Sequence, residues 1–307
     1  MTKALLQWFA RAKRPMPWRA APSPYACWLS EIMMQQTTYQ TVLPYYERFL
    51  KKFPDVATLA AADERDVLKA WEGMGYYARA RNLHRAAKEI AAAGWPRTAA
   101  EWSEIPGVGP YTAAALASVL AGEKVPVVDG NVARVFARYW RLDDDFRKLP
   151  ARERLAERLR PYIARTNAPG DFNQAMMELG ALVCSPSSPA CGECPLARTC
   201  AARKAGTQTD YPRRAERKQL PVRKVTTAVV TDGKGNVLLV ENCEGGLLKG
   251  LWELPAMAQA GEQVQVFSHF RLEMSVVRAE RAARFVDPRS VPLATATRKV
   301  LARCGLL

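Results

Sequence analysis

The sequence predicts an all-α domain over about the first two hundred residues, followed by a smaller α+β domain. Three observations predict this. Apolar residues recur at three- and four-residue spacing in Val67–Trp71, Ala86–Ala93, Thr112–Leu120 and Val132–Trp140, which is the helical period. After Pro221 the texture changes to β-branched runs with turn residues between them. The length of 307 residues, 49% of them hydrophobic, suits about two domains.

In the first part Pro44, Pro54, Gly94-Trp95-Pro96, Pro106-Gly107, Pro161 and Pro169-Gly170 punctuate the helical segments. Many short helices with short connections are expected, and no β-hairpin signal stands out. In the second part Val225–Val230 reads as a strand, Asp232–Gly235 as a turn and Asn236–Val240 as a second strand of a hairpin. Val264–His269 and Leu272–Arg278 read as further strands, and Ala294–Arg303 as a closing helix.

No apolar run approaches the roughly 20 residues needed to span a bilayer. The apolar start, Met1 to Phe9, is broken by Arg11 and Lys13 and reads as a first helix rather than a secretory signal, which argues for an intracellular, cytoplasmic protein. The net charge is +15 with a pI near 9.7. That excess favours a polyanionic partner, because Lys and Arg that neutralise phosphates release counterions. Residues 201–224 are the most basic part, with eight basic and two acidic side chains. The segment is either a linker kept extended by self-repulsion or a DNA contact.

Seven cysteines occur, and four of them, Cys184, Cys191, Cys194 and Cys200, follow the spacing C-x6-C-x2-C-x5-C. Cys27, Cys243 and Cys304 are scattered. In a chain without a secretory context, four close cysteines point to a metal or cluster site rather than disulfides. Four thiolates suit zinc or an iron–sulfur cluster equally.

Four further strings carry candidate chemistry. Ile105-Pro-Gly-Val-Gly-Pro-Tyr-Thr-Ala113 places a Gly-x-Gly turn before a helix, where Gly107, Val108 and Gly109 can offer backbone N–H groups to a phosphate; Pro-Gly turns between helices are also ordinary connections. Val127-Val-Asp-Gly-Asn-Val-Ala-Arg134 sets Asp129 before a helical pattern, as an N-cap or as a catalytic carboxylate. Trp28-Leu-Ser-Glu-Ile-Met-Met-Gln-Gln-Thr37 holds Glu31 on an amphipathic helix, solvated or catalytic. Gly73-Met-Gly-Tyr-Tyr-Ala-Arg-Ala-Arg-Asn82 offers two aromatics that pack a helix end, or a wedge by Tyr76 with Arg79 and Arg81 near phosphates.

Taken in this order, the motifs resemble those of the MutY family in the endonuclease III superfamily of helix–hairpin–helix DNA glycosylases. The resemblance covers nearly all of residues 1–205. It implies an all-α helix–hairpin–helix glycosylase domain with an iron–sulfur loop, over 1–205. Within that domain about 20–124 would form a helical barrel with the hairpin, and 1–19 with 125–205 a cluster subdomain. A basic linker would run over 206–224, and a small α+β Nudix-like C-terminal domain over 225–307. The cysteine spacing matches the [4Fe–4S] loop of that superfamily, so Cys184, Cys191, Cys194 and Cys200 become its ligands.

The resemblance also implies a reaction on double-stranded DNA. The enzyme would remove adenine mispaired with 8-oxoguanine or guanine, after flipping it from the duplex. Glu31 is the expected general acid toward N7 of adenine, its pKa raised by burial. Asp129 stays ionised to stabilise an oxocarbenium-like sugar or attack it. Tyr111 occupies the position where bifunctional relatives carry a Schiff-base lysine, and the next lysine is Lys124. A monofunctional glycosylase is therefore expected. Tyr111, Asn131, Glu178, Trp18 and Arg19 are implied as pocket residues, and Gln36 as a contact on the 8-oxoguanine side. In the tail, Phe267-Ser-His-Phe270 makes Ser268 and His269 the candidates for reading 8-oxoguanine, Ser268 through the N7–H that guanine lacks. No membrane association and a monomeric state are expected. Residues after about 280 match the family poorly. A pyrimidine-damage glycosylase with lyase activity and a non-enzymatic, cluster-bearing DNA-binding regulator are the rival readings; Glu31 with Asp129 argues for chemistry.

Overall fold

The computed structural model describes residues 1–20, 22–213, 227–243, 248–266, 271–279 and 283–307. The first part is helical: α1 (Thr2–Ala12), α2 (Pro17–Ala20), α3 (Pro24–Met34), α4 (Tyr39–Lys52), α5 (Val56–Ala61), α6 (Glu64–Ala70), α7 (Tyr77–Ala93), α8 (Ala99–Glu104), α9 (Pro110–Leu120), α10 (Gly130–Trp140), α11 (Leu149–Ala164), α12 (Pro169–Leu182) and α13 (Ala201–Lys204). The second part holds β1 (Val237–Glu241), β2 (Trp252–Glu253), β3 (Met257–Val266), β4 (Arg271–Ala279), β5 (Arg284–Val286) and α14 (Thr295–Arg303). Among the described residues, no helix is long and apolar enough to cross a membrane.

Side-chain caps start many of these helices. Ser23 accepts from Ala26 N–H at 3.1 Å ahead of α3, Asp55 from Thr58 N–H at 2.7 Å ahead of α5, and Thr98 with Glu101 forms a reciprocal capping box on α8. Two expected breaks are absent: Pro44 lies inside α4 and Pro161 inside α11. A proline costs its own backbone bond, but the buried stripes Val42–Tyr46–Phe49 and Leu155–Leu159–Ile163 carry these helices across it.

The chain forms two compact units. One is Met1–Gln36 with Glu89–Lys218; the other is Thr37–Lys88 with Gln219–Leu307. The first is built on α12, which packs on α1, α9, α10 and α11 around a core that includes Leu5, Phe136, Phe172, Met176 and Leu179, all fully buried. Each such side chain contributes about 1.5–3 kcal/mol of transfer free energy. Glycine lets the helices close up. A Cβ on Gly170 would lie 2.9 Å from Ser118 O, and one on Gly180 would lie 2.6 Å from Asn131 Cβ.

In the second unit β1 is central to an antiparallel sheet ordered β2-β1-β5, and β3 pairs with β4. The strands expected from Val264 and Leu272 are present in β3 and β4, with β3 beginning earlier, at Met257. The expected hairpin before β1 is reduced to a bridge, Thr231 with Val237. Its turn chemistry is as read, since Asp232 accepts from Lys234 N–H at 2.8 Å and Asn236 N–H at 3.1 Å. However, β1 gives one edge to β5 and shares the other with β2, so Thr227–Val230, the described part of the expected strand, gains no continuous ladder; Val225 and Thr226 lie outside the described residues. The closing helix stands as expected, with Ala294 as its N-cap.

Candidate active site and cysteine cavity

Helix α3 brings Glu31 to the wall of a cavity of about 420 Å³, lined also by Phe9, Trp18, Arg19, Ser118 and Gln174. Burial raises the Glu31 carboxyl to about 7, helped by the charge of Asp129 and opposed by a hydrogen bond from Tyr111 and the charge of Arg19. Tyr111, on the first turn of α9, faces both carboxyl groups; burial and their two charges raise its hydroxyl well above the ordinary phenol range. Asp129 caps α10, accepting from Val132 N–H at 2.7 Å and from Asn131 Nδ2 at 2.9 Å. Burial pushes its pKa up, while these donors and Arg134 pull it down. Burial outweighs the donors at Asp129, so both carboxyls are shifted upward: Glu31 keeps its proton near neutrality, and Asp129 is raised less than burial alone would raise it because fixed donors favour its anion.

Buried polar groups hold this arrangement. Glu178, almost fully buried on α12, pairs with Arg14 at 2.8 Å and Arg19 at 2.7 Å, and Arg19 also donates to Gln174 at 2.7 Å. Asn173 accepts from Val127 N–H at 3.1 Å and donates to Ser118 Oγ and Val125 O at 2.9 Å each, which fixes the segment leading to Asp129. Arg134 runs from the carboxylate side to the cysteines: it donates to Asn131 Oδ1 at 2.7 Å, Gly180 O at 2.8 Å and Cys184 O at 2.8 Å.

Cys184, Cys191, Cys194 and Cys200 line one cavity with Arg138 and Arg203. Burial first, then the other three sulfurs, pushes the Cys194 thiol up to about 11. Among the described residues, no set of three or more His, Cys, Asp or Glu converges on a single metal ion. Arg138 is 2% exposed. It donates to the carbonyls of Tyr211, Ser185 and Pro186 at 2.9, 2.7 and 2.7 Å, and to Cys184 Sγ at 3.3 Å. Its charge therefore faces sulfur, an arrangement suited to an anionic occupant.

The candidate DNA contacts fall as follows. Gly107 has φ of 80°, Val108 buries its side chain, and Gly109 caps α9 without a side-chain bond. Gln36 and Tyr76, with φ of 57° and 51°, are non-glycine residues in the left-handed region, a conformation that costs on the order of 1 kcal/mol or more. Tyr76 is 55% exposed. Arg79 stacks against the rings of Trp71 and Tyr76, at 5.4 and 5.3 Å, and Arg81 donates to Lys249 O at 2.8 Å. Ser268 and His269 lie outside the described residues.

Sequence reasoning passed over Arg14, Gln174, Asn173, Arg134 and Arg138. The signal for Asn173 was present: like Glu178, it is a polar residue at a buried position of a helix whose other buried positions are apolar.

Comparison with known proteins adds three findings. The family described as HhH-GPD superfamily base excision DNA repair protein matches residues 29–161. The chain is 35% identical to an adenine DNA glycosylase of Arabidopsis thaliana over 82% of its own length and 46% of the relative's, and 31% identical to one of Buchnera aphidicola over 83% and 74%. It thus spans about half the length of the plant relative. Among solved structures, a thermostable thymine-DNA glycosylase superposes with a TM-score of 0.60 at 26% identity, over 66% of this chain and 95% of that one.

Proposed function

The chain belongs to the family of the adenine DNA glycosylases, within the HhH-GPD superfamily of base excision DNA repair proteins, and from that premise we propose that it hydrolyses the N-glycosidic bond of adenine mispaired with 8-oxoguanine or guanine in duplex DNA. The observation that carries this reading is Glu31: a cavity-lining carboxyl with a pKa near 7, coupled to Asp129 and Tyr111. Adenine leaves poorly as an anion, and positive charge builds on the sugar as the bond breaks. Glu31 protonates N7 of the flipped base. Asp129, held by Val132 N–H and Asn131, stabilises or captures the sugar cation, and water completes hydrolysis to an abasic site. Trp18, Arg19 and the Arg14–Glu178 pair hold the base. The reaction ends at base release, because Tyr111 stands where a Schiff-base lysine would be needed and Lys124 Nζ is engaged by Ala164 O at 3.0 Å.

Cys184, Cys191, Cys194 and Cys200 would hold a [4Fe–4S] cluster, a fit supported by four thiols on one cavity with a buried guanidinium beside them. Bound there, such a cluster would tie the four cysteines together and so hold the 184–200 loop. Gly107–Gly109 and the uncapped start of α9 bind a backbone phosphate. Tyr76 wedges the duplex, and Gln36 contacts the 8-oxoguanine side. The protein acts as a monomer in the cytoplasm. The tail, a Nudix-like module joined by a basic linker over 206–224, reads 8-oxoguanine through Ser268 and His269.

Single-turnover assays on duplexes with adenine opposite 8-oxoguanine, adenine opposite thymine, and thymine glycol opposite adenine test the reading. Cleavage of the first duplex alone, dependent on hot alkali and lost in Glu31→Gln and Asp129→Asn, is expected. Alkali-independent cleavage at thymine glycol would move the protein to the pyrimidine-damage branch.

A further inference from the structure

The residues at both ends of the Tyr76 loop are bonded to the same tail residue. Glu72 Oε1 accepts the N–H of Leu293 at 3.1 Å, and the Tyr77 hydroxyl donates to Leu293 O at 3.0 Å. Lys69 donates to Val291 O at 2.8 Å and pairs with Glu72 at 2.8 Å. On its other flank the same segment is stitched to β2: Trp252 N–H donates to Pro292 O at 2.8 Å, and Ala294 N–H to Trp252 O at 2.9 Å. Leu293 is itself fully buried in the small tail core with Val237, Leu239, Trp252 and Leu301. Val291–Ala294 is therefore a strut, bonded to the tail along one edge and to the loop's end residues along the other.

Between Glu72 and Tyr77 the chain passes through Gly73 (φ 95°), Met74, Gly75 (φ 72°) and Tyr76 (φ 51°). Inside the loop Trp71 Nε1 holds Gly75 O at 3.0 Å. Three of four residues sit in the left-handed region, and the last is a tyrosine, so the loop keeps this shape only while its ends are fixed. Both ends are fixed by polar groups set against the tail, and Tyr77 is buried there.

We propose that Glu72 and Tyr77 are positioning residues through which the tail holds Tyr76 in its exposed, left-handed conformation, so that docking of the Val291–Ala294 strut sets recognition of the mispair. The proposal rests on the reading of Tyr76 as a wedge. Its consequence is that the tail contributes to mispair recognition through a loop of the helical segment it packs with, in addition to any base it touches itself.

The test uses the full chain in a Glu31→Gln background, so that bound DNA is not processed. Tyr77→Phe removes one oxygen and leaves the ring's packing. Tyr76→Ala and the double variant complete a cycle. Two quantities are read: the ratio of affinities for a duplex with adenine opposite 8-oxoguanine and a fully paired duplex, and amide hydrogen exchange over residues 73–76 in the free protein. Tyr77→Phe should lower the ratio about tenfold and speed exchange in the loop, and the double variant should lose no more than Tyr76→Ala. An unchanged ratio in Tyr77→Phe alone, or equal weakening of both duplexes, would overturn the strut and leave the wedge standing. An unchanged ratio in Tyr76→Ala would remove the wedge, and this use of the strut with it.

Discussion

Glu31→Gln should make the protein more stable as it abolishes base release, and the stability gain should depend on pH in a defined direction. An unfolded Glu titrates near 4.5, whereas the folded Glu31 titrates near 7 because burial disfavours its charge. The native state therefore binds the proton more tightly. Its share of stability is fully present below pH 4.5 and is lost as pH rises toward 7. At about 1.36 kcal/mol per pKa unit, ionised Glu31 costs the native state roughly 3 kcal/mol at pH 8 and under about 0.5 kcal/mol at pH 4.5. Glutamine is neutral at both, and its carbonyl still accepts from Tyr111. Urea titrations at pH 4.5, 6 and 8 should show the variant gaining on the parent by about 2–3 kcal/mol across that span. The parent's single-turnover rate should fall about tenfold per pH unit above 7, as the acid form is depleted. Parallel stability curves for parent and variant would refute the claim that Glu31 is held protonated by its surroundings, whatever the variant's activity.

Other substitutions probe the supports. Gly180→Val should push α10 from α12, because even a Cβ there meets Asn131 at 2.6 Å; adenine release should drop at least about a hundredfold through the displaced Asn131–Asp129 pair, with circular dichroism still helical. Asn173→Ala should cost about 2–4 kcal/mol in chemical denaturation, since Val127 N–H and Val125 O lose their partner in a buried site, and Asn173→Asp should restore only the acceptor. Arg138→Met should cost about 3 kcal/mol or more, on the order of 1 kcal/mol or more for each orphaned carbonyl, and, in protein purified with its cluster, reduce broad visible absorbance, because three carbonyls and Cys184 Sγ lose their donor. A colourless parent protein holding zinc would overturn the cluster assignment itself.

What could be read from the chain alone was local. Helical period over α6, α7, α9 and α10, the turn chemistry at Asp232, the spacing of four cysteines and the tyrosine at position 111 depend on residue type and order. Glu31 and Asp129 were singled out by strings that resemble the family's, and the structure brings their charges to act on one another. Two local rules misled. Pro44 and Pro161 read as breaks, and Thr227–Val230, the described part of Val225–Val230, as continuous strand. In each case packing or competition for a strand edge, made by distant residues, outweighed propensity.

The tertiary structure decided how the named groups behave. The raised pKa of Glu31 is a property of the protein around it, with Tyr111, Asp129 and Arg19 contributed by three other segments. Glu178 becomes a clamp only because Arg14 and Arg19 arrive from 164 and 159 positions away. The path from Asp129 through Asn131 and Arg134 to Cys184, and the bonds from Glu72 and Tyr77 to Leu293, likewise join groups remote in sequence. Sequence order determines which chemical groups are available and in what local conformation. Burial and long-range hydrogen bonds, which exist only once the core has closed, determine their charge, their orientation and their partners.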